Sequence, residues 1–152
     1  MHHQAPEVSF YRLTTLPIIK AAPKLIEKIY YSGQKLVVRV QDEVMIKNID
    51  DGLWAYSTKH FIPHGTFLDA HSNDQPVYLT TKIENPNQAT IAIALGIVKL
   101  AELQTSKKLY MFDGNNKEQL EFARNKWKLY KSQGIAVIYW QQTIDGTWEK
   151  QE

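Results

Sequence analysis

Apolar residues alternate loosely across residues 7–14, at Val8, Phe10, Tyr11 and Leu13, and predict a first strand. The pattern then changes period. Leu25, Ile26, Ile29 and Tyr30 fall on one face of a helix that begins near Pro17 and Pro23 and ends at Gly33, a residue suited to a left-handed C-cap. Residues 35–40 are a β-branched run of strand length with the character of a strand buried on both faces. Asp42 is placed to cap a second helix carrying Val44, Met45, Ile49, Leu53 and Trp54. Strand, helix, strand, helix is a βαβ opening. It predicts an α/β fold: a three-layer α/β/α arrangement around a largely parallel sheet.

The second half continues in the same style. Residues 57–75 hold Pro63, Gly65, three histidines and few periodic apolar residues, and are expected to form a loop. Residues 77–81 and 89–95 are strand candidates separated by a turn at Asn85-Pro86-Asn87, and residues 108–112 are another, closed by Asp113-Gly114-Asn115. A helix is expected from 117 to 133, ended by Gly134. Residues 135–141 form a last apolar strand, which Asp145-Gly146 can turn back as a hairpin.

Length and composition narrow the field. The chain has 152 residues, which predicts one domain over 1–152. Its 18 basic and 16 acidic side chains nearly cancel, which argues against a general nucleic-acid coat and leaves any electrostatic role to a local patch. The absence of cysteine removes disulfides, thiol nucleophiles and Cys-ligated metal, and fits a cytoplasmic setting. The longest apolar run, 91–98, is too short to span a bilayer, and the first residues carry neither a basic nor an apolar signal-peptide region.

Motifs for chemistry are sparse. No G-x-x-x-x-G-K-[ST] and no G-x-G-x-x-G is present, and the turn after the first strand, Leu13-Thr14-Thr15-Leu16-Pro17, offers no glycine for close approach of a phosphate. The fold is therefore Rossmann-like without a phosphate-binding loop. There is no G-x-S-x-G. The carboxylates at Asp42/Glu43, Asp50/Asp51 and Asp69/Asp74 are more simply caps and loop residues. His60, His64, Asp69 and His71 are the candidate metal ligands. Pro63 and Gly65 break the helix that would align them, and plain loop histidines are the simpler reading.

The helix over 117–131 carries more information. At about 100° per residue, Phe122, Ala123, Leu129, Tyr130 and the stem of Lys126 share a broad apolar face expected to pack on the sheet. Leu120 and Trp127 lie at its margin, and Lys117, Arg124 and Lys131 run beside them toward solvent. A guanidinium binds a carboxylate bidentately, and a partly exposed indole takes an apolar side chain, so this row can form a small pocket for an acidic peptide. Composition and spacing alone favour a plainer reading, an amphipathic helix whose lysines keep it soluble. Trp54 and Phe61 form a second pair. They are either an outward aromatic anchor or plugs under the loop.

Several short stretches, in order and spacing, carry a resemblance. They are Phe10-Tyr11, Pro23-Lys24-Leu25, Asp51-Gly-Leu-Trp54, Phe61-Ile-Pro-His-Gly65, Gln75-Pro-Val77, Leu79-Thr-Thr81, Glu84-Asn-Pro-Asn87, Phe112-Asp-Gly-Asn115, Ala123-Arg-Asn-Lys-Trp-Lys128 and Tyr139-Trp-Gln-Gln142. Together they resemble the chi subunit of bacterial DNA polymerase III in its alphaproteobacterial form. The resemblance implies a non-catalytic adaptor, without a cofactor, between the clamp loader and single-stranded-DNA-binding protein. Such an adaptor holds that protein's acidic C-terminal tail and meets DNA only indirectly, with no membrane contact.

By the same resemblance Arg124 takes the tail's carboxylate and Trp127 forms the pocket wall. Leu120 stands where some relatives have Lys, Lys117 is a substitute cation, and Tyr139 lies near the same pocket. A second surface including Trp54 and Phe61 would meet the psi subunit of the clamp loader or a helicase. The alternatives are a nucleotide- or metal-dependent α/β enzyme of DNA metabolism using His60, His64 and His71, and a protein that binds single-stranded DNA directly.

Overall fold

The computed structural model describes residues 6–56, 62–66, 72–100 and 103–151. Eight strands form one sheet: β1 (Glu7–Leu13), β2 (Leu36–Arg39), β3 (His64–Thr66), β4 (Val77–Thr80), β5 (Ile91–Leu95), β6 (Lys107–Asp113), β7 (Ala136–Gln142) and β8 (Trp148–Gln151). Their order is β3-β4-β2-β5-β6-β1-β7-β8. Every pairing is parallel except that of β7 with β8, which closes the sheet as an antiparallel hairpin. The helices are α1 (Ile18–Tyr31), α2 (Glu43–Tyr56) and α3 (Lys117–Ser132).

Connection geometry explains the layers. From β1 the chain moves to β2 in one direction along the sheet, and from β6 it moves to β7 in the other. Right-handed crossovers in opposite directions put their helices on opposite faces. Accordingly α1 and α2 pack with Leu13, Leu36, Val38, Ile91, Ile93, Leu95, Leu109 and Met111 on one face. On the other, α3 packs with Val8, Phe10, Val37, Ala92, Ala94, Tyr110 and Phe112. Among the described residues no helix covers β5 on that second face. Val98, Leu100 and Leu103, from the connection between β5 and β6, pack there instead, over the small side chains of Ala92 and Ala94.

The local signals act as the sequence predicts. Asp42 Oδ1 accepts from the Met45 N–H at 2.9 Å and caps α2. Gly33 follows α1 at φ +86°, where a side chain would be strained. The loop expected over 57–75 needs correction. Residues 64–66 form a short edge strand beside β4, and Ser72–Asp74 a single 3₁₀ turn. Three residues at a sheet edge are too few to display an alternation, so nothing in the pattern announced this strand.

The backbone amides of the turn after β1 are satisfied within the chain. The Gln142 side-chain oxygen accepts from the backbone N–H groups of Thr14, Thr15 and Leu16 at 3.3, 3.0 and 3.1 Å. These donors form the kind of concave amide cluster that holds an anion in nucleotide-binding relatives of this architecture. Here the chain's own carboxamide fills it, and Gln142 is buried. Trp148 on β8 packs edge-on against Tyr11 at 5.1 Å and pins the hairpin that delivers Gln142. Gln142→Ala leaves the three donors without that acceptor and is expected to lower stability by about 1–3 kcal/mol in urea unfolding. A variant as stable as the wild type would show that the carboxamide does not organise the turn.

A cationic groove between the third helix and the last strands

The N-terminus of α3 is set by Asn116, whose side chain accepts from the Gln119 N–H at 3.0 Å, while Gln119 Oε1 accepts from the Asp113 N–H at 2.8 Å. Further along, the buried Tyr130 hydroxyl meets the Tyr110 hydroxyl at 2.6 Å and ties the helix to β6. Ala123 is buried, and its small side chain brings the helix close to the sheet. The inward face is thus Leu120, Phe122, Ala123, Trp127 and Tyr130. The expected apolar face was centred too far round. Leu129, assigned to it, is 42% exposed, whereas Leu120 and Trp127 pack against the core. Helical spacing sets angles between side chains but not which direction meets the sheet.

This orientation opens a groove of about 400 Å³ between α3 and the strands β1, β7 and β8. Its walls are Arg124, Trp127 and Lys131 from the helix, Arg12 from β1, Val137, Tyr139 and Gln141 from β7, and Gln151 from β8. Three of the sequence-predicted residues, Arg124, Trp127 and Tyr139, therefore meet in one place. Leu120 packs against the core and Lys117 begins α3, and neither lines the groove. The Lys131 ammonium stands over the Trp127 ring at 4.6 Å from its centroid, which fixes one face of the indole.

Electrostatically the groove is one-sided. Among the described residues it is lined by three cations and no carboxylate. Among the described residues the one ion pair joins His64 to Asp50, so none of these three cations has a carboxylate within salt-bridge distance. Tyr139 sits between the two guanidiniums. Burial pushes its phenol above the ordinary value, while the Arg12 charge and hydrogen bond, and then the Arg124 charge, pull it down without cancelling the burial. The hydroxyl is therefore neutral at physiological pH.

Arg12 is the groove residue that sequence reasoning missed. It stands two positions after Phe10, in the alternation that sends Val8 and Phe10 into the core beneath α3. A charge in register with core positions was the available signal. Val137, Gln141 and Gln151 carried none.

The remaining candidates lie elsewhere. Trp54, on the last turn of α2, is 55% exposed and rests against the His64 ring at 5.2 Å. Phe61 lies outside the described residues, as do His60, Asp69 and His71. Both His64 ring nitrogens are taken, Nδ1 facing the Ile62 carbonyl at 2.8 Å and Nε2 facing Asp50 at 2.6 Å, which makes it a bracing residue between loop and helix. Among the described residues no group of three or more potential metal ligands comes together. None of the described helices is long and apolar enough to cross a membrane.

Comparison with known proteins decides the family. The family model for "DNA polymerase III chi subunit, HolC" matches residues 5–138. This chain belongs to the DNA polymerase III chi-subunit family. Among its relatives, the "Probable DNA polymerase III subunit chi" of Rickettsia prowazekii (strain Madrid E) is 31% identical over 95% of this chain and 91% of its own length. The DNA polymerase III subunit chi of Haemophilus influenzae is 29% identical over a shorter stretch, half of this chain and 55% of its own. Membership makes the chain an accessory subunit of the replicative polymerase in DNA replication. The matched segment ends one residue before Tyr139, so Tyr139, Gln141 and Gln151 complete the groove from outside it.

Tyr139 generates a pH prediction. A phenol whose folded value is raised above 10.0 adds stability that is complete below that pH and is lost as pH rises through the folded value. Tyr11 behaves alike, raised by burial and then by Glu7. In ultraviolet titration both tyrosines should ionise above the ordinary phenol value. Arg12→Gln should raise Tyr139 further, because the groups that pull it down are then reduced to Arg124 alone. A fall in its value on that substitution would contradict this account.

Proposed function

We propose that the chain is a non-catalytic adaptor that grips the acidic C-terminal tail of single-stranded-DNA-binding protein in the α3–β7 groove and links it to the clamp loader. The reading takes the whole chain as one domain, acting in the cytoplasm and reaching DNA only through its partner. The observation that carries it is the groove itself: among the described residues, three cations without a carboxylate partner around an indole, a valine and a neutral phenol. An acidic peptide ending in an apolar residue has the complementary chemistry. Arg124, exposed at the rim, pairs with a carboxylate, Lys131 steers from above the indole, and Trp127 with Val137 receives an apolar side chain. Leu120 packs against the same core cluster as Trp127, one seven-residue step away. Lys117, a turn or more away along α3, adds long-range attraction only.

A second surface would use the exposed face of Trp54, together with Phe61, toward the psi subunit or a helicase. The exposure of Trp54 supports that role, because an apolar ring left largely in solvent is the kind of anchor interfaces employ. The competing enzyme reading finds no support in the turn after β1, where Gln142 already occupies the amide cluster that a nucleotide phosphate would need.

The test is a fluorescence-anisotropy titration with a labelled acidic peptide ending in Asp, Phe and an apolar residue. Micromolar binding that weakens with salt is expected for the wild type. Arg124→Ala and Trp127→Ala should each reduce affinity about tenfold or more. No binding by the wild type at millimolar protein would sink the adaptor mechanism.

A further inference from the structure

Arg12 is an unusual residue for its position. On β1 it pairs with Phe112 of β6 and Gln141 of β7, near the carboxyl end of a strand flanked by parallel partners on both sides and on the face that α3 covers. Its Nε is buried with no hydrogen-bond partner among the described residues, while Nη2 donates to the Gly114 carbonyl at 3.3 Å. Space for it is made by Gly114. A Cβ there would stand 2.5 Å from Arg12 Nε and 2.6 Å from Cγ. The φ of Gly114 is not in the left-handed region, so this glycine answers to space and not to backbone geometry. A half-buried cation held in this way is disfavoured unless something balances it, and buried donors left unmet concentrate at functional positions.

Balance is available from the groove, which Arg12 lines opposite the exposed Arg124. We propose that Arg12 is the specificity-determining cation of the site: its fixed guanidinium holds the free α-carboxylate of a bound C-terminal peptide, and Arg124 takes a side-chain carboxylate upstream. The assignment rests on the reading of the groove as an acidic-tail site. Depth decides the pairing. A C-terminal apolar side chain and the α-carboxylate leave the same Cα, so burying the first against Trp127, Val137 and Tyr139 places the second toward the sheet, where Arg12 lies. The preceding acidic residue stays nearer the rim and Arg124. Because the Gly114 carbonyl and the packing around the stem already hold Arg12, little side-chain freedom is lost on binding. Such a site recognises a chain end and rejects the same sequence inside a chain.

The test uses the full chain and three peptides: a free-acid tail, its C-terminal amide, and a free-acid version with Asn for the Asp. The wild type should prefer free acid to amide at least tenfold. In Arg12→Gln that ratio should fall toward one, with binding of the amide little changed. In Arg124→Gln the free-acid preference should persist while the Asp-over-Asn preference shrinks. Arg12→Lys, which keeps charge without the fork, should retain part of the preference.

Should Arg12→Gln not fold, the Arg12 Nε–H resonance of the unaltered protein is the readout. It should shift with the free acid and not with the amide. An unchanged free-acid preference in Arg12→Gln, or equal shifts with both peptides, would overturn the assignment of Arg12 while leaving the tail site intact. Failure of the wild type to bind any of the three would overturn both.

Discussion

The parallel ladder that joins β6, β1 and β7 is the constraint on which the rest of the molecule depends. β1 is hydrogen-bonded on both sides, to β6 along its whole length and to β7 over most of it. The crossover from β1 to β2 runs one way along the sheet and that from β6 over β1 to β7 the other, and the hand of those crossovers sends α1 and α3 to opposite faces. Each face then closes its own core, aliphatic beneath α1 and α2 and more aromatic beneath α3. Phe10 stacks between Tyr110 and Tyr139 at 5.2 and 6.2 Å, which locks the three strands in register on the α3 side. That aromatic layer is also the floor from which the groove rises.

Placed there, the groove inherits a tension. A sheet face covered by a helix favours apolar side chains, yet β1 ends on this face with an arginine. The structure accommodates it by removing a Cβ at Gly114, by lending the Tyr139 hydroxyl, and by leaving one side open to the groove. With Arg124 and Lys131 on the facing helix, the positive potential is concentrated in a cleft with low-dielectric walls, where it is stronger than the same charges would be on an open surface. The near-neutral whole chain and the strongly one-signed cleft are compatible because only the local arrangement matters to a ligand.

The C-terminal hairpin serves two sites at once. Its inward residues complete the groove wall through Tyr139, Gln141 and Gln151, and Gln142 at its turn end fills the amide cluster after β1. The amide cluster at the carboxyl end of β1, where this kind of architecture can hold a phosphate, is thereby satisfied internally, and the cationic groove lies apart from it on the flank of the last helix. Glu149, Lys150 and Gln151 leave β8 polar and charged at the sheet's edge, which discourages pairing with a further strand.

Much of this was written in local pattern. The order of strands and helices, the cap at Asp42, the C-cap glycine at 33 and the absence of a phosphate loop all follow from side-chain period, backbone preference and short-range hydrogen bonding, which neighbouring residues decide among themselves. The kinship of the cations and the indole on α3 was legible too, as a seven-residue spacing.

What that spacing could not supply was the direction of the helix. Relative angles along α3 are intrinsic, but Leu120 and Trp127 face the sheet and Leu129 faces solvent only because Ala123 and Tyr130 dock on β6 and its neighbours. The edge strand at His64–Thr66, the internal plug by Gln142 and the meeting of Arg12 with Tyr139 and Arg124 were likewise settled by tertiary structure. Each joins residues far apart in the chain, and no local preference records which distant partners a side chain will find once strands pair and helices cross.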